Sequence, residues 1–193
     1  MTTDERQKLT DDIIERELEM FLAVTNRGGV SVCQERPETF RTMRWTSHSV
    51  QTDAFLVAYL HDLEAAKREG RNFMTEKYAL MEHLIPALRN DPRIAVVVEI
   101  EGGWRDALAE QYPHVVRVDA GAHFRNYLGC ELQTLSENTL GLYKETVDKA
   151  VREGRNLLLE RYENLFRKTG CGSIQEREAF LAKKAETPQC PFS

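Results

Sequence analysis

A chain of 193 residues is long enough to bury a sizeable core, and it sits in the usual range of about 100–200 residues for a single domain, here taken as 1–193. Asp and Glu outnumber Lys and Arg by 31 to 26 for a net charge of -5, so no global positive field is present to hold nucleic acid or an anionic membrane surface. With a mean hydropathy of -0.50, no apolar run approaches the roughly 18 residues of a membrane helix. The polar start MTTDERQKLTDD carries no signal stretch, so a cytoplasmic protein is expected.

In chain order, Ile13, Ile14, Leu18, Phe21 and Leu22 put an apolar stripe on a first helix running to about Val24. The turn-rich TNRGGVSVCQERP follows and closes on a proline suited to a helix first turn, which predicts a short helix over 38–47. Beyond it, LEAAKREGRNFMTEKY, ending at Tyr78, is answered by VDKAVREGRNLLLERY, ending at Tyr162. The offset that pairs these two tyrosines holds upstream without a gap as far as Phe40 and Phe124, and twelve of the forty-two positions from 40 to 81 are identical. Composition suited to helices does not by itself produce a shared EGRN, so the match points to duplication.

Apolar positions keep one helical phase through Gly70 and through Gly154, from Tyr59 to Met81 and from Tyr143 to Leu165. This predicts one long helix per repeat, 52–88 and 137–168, in which Ala66 with Gly70, and Ala150 with Gly154, make small-residue notches. The competing reading ends the helix at Gly70 and restarts it on Asn72 as N-cap. Pro92 opens a further helix to Tyr112, although the β-branched run 94–100 also reads as a strand. A short helix over 123–134 matches 38–47, and Ser173 with Glu176 forms a capping box for a last helix. The expected fold is all-α: a helical bundle of two three-helix repeats, about 7–88 and 92–169, related by a pseudo-twofold axis, plus a C-terminal helix over 173–187.

Cys33, Cys130, Cys171 and Cys190 stand apart with no CxxC, and the five histidines form no metal-binding spacing. Nucleotide cradles and the hydrolase elbow are also missing. What remains is a set of polar residues in apolar company. Lys77 and Arg161 occupy matching positions on apolar faces, and a buried cation needs a carboxylate or an anionic ligand. With Tyr59 and Tyr143 on the same faces they make a ligand-binding set; the alternative is that their stems cover the core while the charged heads reach water. Glu131, among Leu128, Cys130 and Leu132, either has a raised pKa and serves as general acid or base beside Tyr143, or pairs with Arg44 or Arg125. Cys33, in a Gly-rich loop, is the best nucleophile candidate of the four cysteines. Glu69, Asn72 and Glu76, echoed by Glu153, Asn156 and Glu160, read either as a solvated face or as a carboxylate cluster for a metal.

The strings TNRGGVSVCQ, FRTMR and YLHDLEAAKREGRNFMTEKYALM, with LGCELQTLSENTLGLY over 128–143, resemble an uncharacterised prokaryotic family catalogued as domain of unknown function 4125. The resemblance covers nearly the whole chain. Its pattern takes in Asn26, Cys33, Gln34, Arg44, Asp62, the run from Glu76 to Tyr78, and Glu131, and through it Asn26, Gln34 and Arg44 join the ligand-binding set. Val50-Gln51-Thr52 stands where the family pattern has a tryptophan, and the connection after Pro86 is shorter. The resemblance implies a helical cytoplasmic protein and transfers no activity.

Three function classes follow. The leading expectation is a small-molecule-binding protein or enzyme with a polar, anion-recognising pocket between the repeats, its partner a small polar or anionic molecule and no cofactor assigned. The second is a non-catalytic protein acting as a homodimer through its notched helices. The third is a metal-dependent oxidase or lyase built on the carboxylate stripes, against which the missing ExxH counts.

Overall fold

The computed structural model describes residues 1–25 and 34–186. Among these the regular structure is helical: α1 (Thr3–Leu22), α2 (Pro37–His48), α3 (Asp53–Arg68), α4 (Phe73–Met81), α5 (Pro92–Gln111), α6 (Gly121–Thr134), α7 (Glu137–Arg152), α8 (Leu157–Thr169) and α9 (Ile174–Glu186), with a 3-10 turn at Val118–Ala120. The all-α bundle read from the periodicity is the fold.

Local chemistry starts these helices where the sequence places the signals. Thr2 and Glu5 form a capping box at α1, Pro37 opens α2, and Thr52 and Ser136 cap α3 and α7 through their hydroxyls. Asp91 caps α5 directly ahead of Pro92. The run 94–100 is helical because Ile94, Val97 and Glu101 fall on one buried face at helical spacing, and burial overrides the β-branched preference. Ser173 accepts from the Glu176 amide while the Glu176 carboxylate accepts from the Ser173 amide, which completes the second capping box.

The two long helices are each broken in two. Gly70 and Gly154 have φ of +69° and +64°, the left-handed conformation that ends a helix, and the amides of Arg71 and Arg155 donate back to the carbonyls of Ala66 and Ala150. Asn72 and Asn156 then cap α4 and α8, each accepting from two backbone amides. The stretches expected to hold three helices therefore hold four, and the notch at Ala66–Gly70 does not form, since Ala66 is buried in the core and Gly70 is exposed beyond the helix end.

The repeat offset carries the start residues of α2, α3 and α4 (Pro37, Asp53, Phe73) onto those of α6, α7 and α8 (Gly121, Glu137, Leu157). α1 packs on α2, α3 and α4, and α5 packs on α6, α7 and α8. α3 meets α7 at the centre, while α2 crosses onto α8 and α6 onto α4. The main core joins Ile13, Leu56, Tyr59, Leu63, Val97, Leu132, Leu140 and Val147, and a second cluster of Leu108, Tyr112, Val116, Phe166 and Ile174 seats α9. No helix is long and apolar enough to cross a membrane among the described residues.

Space around the glycines is open, so only backbone conformation is at stake there. Gly70→Ala and Gly154→Ala are each expected to cost about 1 kcal/mol, and Asn72→Ala and Asn156→Ala about 1–2 kcal/mol through the lost cap. Urea unfolding of the four variants measures this; an unchanged midpoint for the glycine pair would contradict the helix break.

Candidate functional site

Glu17 projects from the middle of the apolar stripe of α1, and its side chain is fully buried. Arg44 on α2 grips it with Nε to Oε2 at 2.9 Å and Nη2 to Oε1 at 2.5 Å, His48 Nε2 lies 3.0 Å from Oε2, and the Tyr59 hydroxyl donates to Oε1 at 2.8 Å. The third nitrogen of Arg44, Nη1, reaches Glu131 Oε1 on α6 at 3.0 Å. Lys77, 2% exposed, donates to Glu131 Oε2 at 3.1 Å and to the Tyr127 hydroxyl at 2.6 Å.

A second, smaller cluster lies on the other side of the α3–α7 contact. Tyr143 donates to Glu101 Oε1 at 2.6 Å, and Arg161 places Nη1 on Glu101 Oε2 at 2.6 Å and Nη2 on the Tyr143 hydroxyl at 3.1 Å. Glu17 and Glu101 are themselves paired by the repeat offset, as are Tyr59 and Tyr143. Within the two clusters three carboxylates thus face three cations, Arg44, Lys77 and Arg161, and their charges balance.

The clusters fix the charge states. Burial on its own would raise the Glu17 carboxyl, but Arg44 and His48 outweigh it and bring it down to about 2. Burial works upward on Glu131 as well, and Arg44 with Lys77 wins again, holding it well below the usual carboxylate range. The raised Glu131 pKa suggested by its apolar neighbours is not found, and of the two arginines considered it is Arg44 that pairs; Arg125 is on Asp106. Burial and the Glu101 charge push the Tyr143 phenol well above its ordinary value.

Between the clusters lies a cavity of about 90 Å³ whose lining includes Arg44, Gln51, Tyr59, Glu131, Tyr143 and Arg161. Five residues chosen from sequence therefore meet at one cavity, and Lys77 stands behind Glu131. Two polar atoms of the lining, Gln51 Oε1 and Arg161 Nε, are buried with no hydrogen-bond partner. Gln34 lies elsewhere: its amide nitrogen donates to the carbonyls of Phe21 and Val24, both at 3.0 Å, and holds the end of α1. Asn26 and Cys33 fall outside the described residues.

The metal reading of the acidic stripes meets side chains already engaged. Asn72 and Asn156 are helix caps that also donate to the Met20 and Trp104 carbonyls, and Glu76 and Glu160 form two-pronged pairs with Arg71 and Arg155. Among the described residues no group of three or more His, Cys, Asp or Glu is placed to hold a metal ion. Sequence reasoning missed Glu17, Glu101, His48, Tyr127 and Gln51. For the first two a signal was present, because the repeat offset continues through α1 and pairs two acids at the centre of buried stripes.

The depressed carboxyls set a pH dependence. The unfolded chain, with Glu near 4.3, binds more protons than the folded one as the pH falls, so this stabilisation is complete above about pH 5 and is lost toward about pH 2. Urea midpoints are expected to fall across that window. Glu17→Gln, which leaves Arg44 with Glu131 as its one carboxylate and removes the carboxylate beside His48, is expected to cost about 3 kcal/mol at neutral pH and to flatten the acid slope.

Neither a curated protein nor a solved structure matches the chain. The family model described as "Protein of unknown function (DUF4125)" matches residues 7–179, and the chain belongs to that family.

Proposed function

We propose that this chain is a small-molecule-binding protein whose ligand presents a polar, anionic group to Arg161 in the space between the two helical halves. The observation that carries the reading is the pair of buried atoms without partners, Gln51 Oε1 and Arg161 Nε, on the wall of one cavity. Leaving such an atom unsatisfied costs about 1–3 kcal/mol, and folded proteins satisfy nearly all of them with protein, water or ligand. One acceptor and one charge-assisted donor thus belong to residues that line the same space, which suits a ligand carrying an anionic oxygen and a hydroxyl or amine. Gln51 is the more telling of the two because its counterpart in the second repeat is Leu135, an apolar residue in the main core.

Binding is favoured over proton-transfer chemistry. The catalytic candidates within the described residues, Glu131 and Tyr143, are moved away from neutrality in opposite directions, whereas a general acid or base works best near the operating pH.

Native mass spectrometry of freshly purified protein beside its denatured mass tests this. A co-purifying small organic mass is expected, and its occupancy should fall on the order of tenfold in Gln51→Leu. That variant removes an unpaired buried acceptor, so its stability is expected to hold or rise. A bare native mass that also stays bare after addition of millimolar carboxylates and phosphate, or occupancy unchanged in Gln51→Leu, would overturn the proposal.

A further inference from the structure

Lys77 and Arg161 are counterparts in the two repeats, but their surroundings differ in a way that describes a ligand. At Lys77, between α4 and α6, the chain supplies the partners itself. Glu131 supplies a carboxylate at 3.1 Å, Tyr127 supplies a hydroxyl at 2.6 Å and a ring 4.2 Å from Nζ, and Phe21 stacks on Phe40 at 4.6 Å. At Arg161 the corresponding helices are α8 and α2, and those three positions hold other residues. Ser47 stands for Glu131, Met43 for Tyr127 and Arg105 for Phe21. The carboxylate and both aromatic rings, those of Tyr127 and Phe21, are gone, and a second cation has come in.

The result is a second cavity, about 220 Å³, against Arg161. Its polar side is Arg105, Arg161, Thr46 and Ser47; its apolar side is Phe124, Leu158, Tyr162 and Leu165, and no acid is among its lining residues. Ser47, Phe124 and Arg161 also line the inner cavity, so the two spaces share a wall. Arg105 is 5% exposed; its Nη2 donates to the Arg117 carbonyl, and its Nη1 has no hydrogen-bond partner. The nearest carboxylate to it, Asp106 at 3.7 Å, is half exposed and hydrogen-bonds Arg125 at 2.7 Å. Arg161 is matched by Glu101, which leaves Arg105 as the guanidinium short of a charge partner and Arg161 Nε as a donor short of an acceptor.

From this geometry we infer that the cavity between α2 and α8 binds a small carboxylic acid with an apolar, ring-sized body, its carboxylate taking at Arg161 the place that Glu131 takes at Lys77. The inference rests on the reading above that an anion meets Arg161, names the ligand class, and seats it on the side of Arg161 that Gln51 does not line. One negative charge balances the surplus of Arg105, and a planar carboxylate suits a guanidinium fork. Met43, the counterpart of Tyr127, also lines the cavity, and with the apolar wall it favours a ring over a fully hydrated anion such as phosphate.

Isothermal titration and thermal unfolding with benzoate, its neutral isostere benzamide, and inorganic phosphate form the test, on the wild-type chain and on Ser47→Glu and Arg105→Phe. Each variant restores the residue found in the other half. Benzoate is expected to bind saturably and raise Tm, with benzamide and phosphate weaker on the order of tenfold or more. Ser47→Glu supplies the carboxylate internally and should raise the ligand-free Tm while abolishing benzoate binding; Arg105→Phe should weaken benzoate by a similar factor with the far-ultraviolet dichroism unchanged. Should Ser47→Glu fail to fold, Arg105→Phe carries the test alone. Equal binding of benzoate and benzamide, or benzoate binding untouched in the folded variants, overturns the inference. Saturable phosphate without benzoate overturns the ligand class and leaves the anion site standing, whereas no binding of either, with a bare native mass, removes both.

Discussion

Three carboxylates lie in the interior of this chain, and the cations needed to hold them there dictate which helices meet. Glu17 and Glu101 are fully buried on the inward faces of α1 and α5, among apolar side chains such as Ile13, Leu18, Val97 and Leu108. An unpaired ion in such a place costs several kcal/mol, so each carboxylate has to be reached by cations and hydroxyls from other elements. Arg44 comes from α2, Tyr59 from α3, Tyr143 from α7 and Arg161 from α8. Each partner arrives from a different helix, so apolar packing alone would tolerate slippage where the charge network does not, and the centre of the bundle is fixed by polar geometry.

The same network explains why the two halves differ in kind. Arg44 and His48 on α2 correspond to Leu128 and Leu132 on α6, while Tyr127 and Glu131 on α6 correspond to Met43 and Ser47 on α2. One short helix carries the cation and the other the carboxylate, and they join through Arg44 and Glu131. Around Lys77 the chain supplies the carboxylate and the phenol itself, whereas a cavity of about 220 Å³ lies against Arg161.

Much of the helical layout was legible locally, since caps, prolines and periodic stripes each depend on a few neighbouring residues. The position of the glycine breaks was not: an interior glycine costs about 1 kcal/mol against alanine, too little to decide, and the apolar phase carries through α3 and α4 whether or not the chain turns between them. The positive φ of Gly70 and the return of the Arg71 amide to Ala66 settle it. Lys77, Arg161, Tyr59 and Tyr143 could be picked out because polar atoms on apolar faces must be satisfied. Glu131 could be picked out too, but its charge state could not, because Arg44 and Lys77 lie 87 and 54 residues away in sequence. Ser47 and Arg105 carry no local signal at all; they matter only once α2 is known to cross onto α8.

That crossing also bears on the order in which the molecule is assembled. Asn164 on α8 donates to the Ser49 hydroxyl at the end of α2 across 115 residues of sequence, and Lys77 waits for Glu131 across 54. A chain synthesised from its N-terminus places Lys77 and Arg44 outside the ribosome well before α6, so the first half emerges with cations whose shared carboxylate has not yet been made. Arg44 has Glu17 from the start, but Lys77 has no carboxylate until α6 is made, so the first four helices depend on the second half to complete their buried charge pairing.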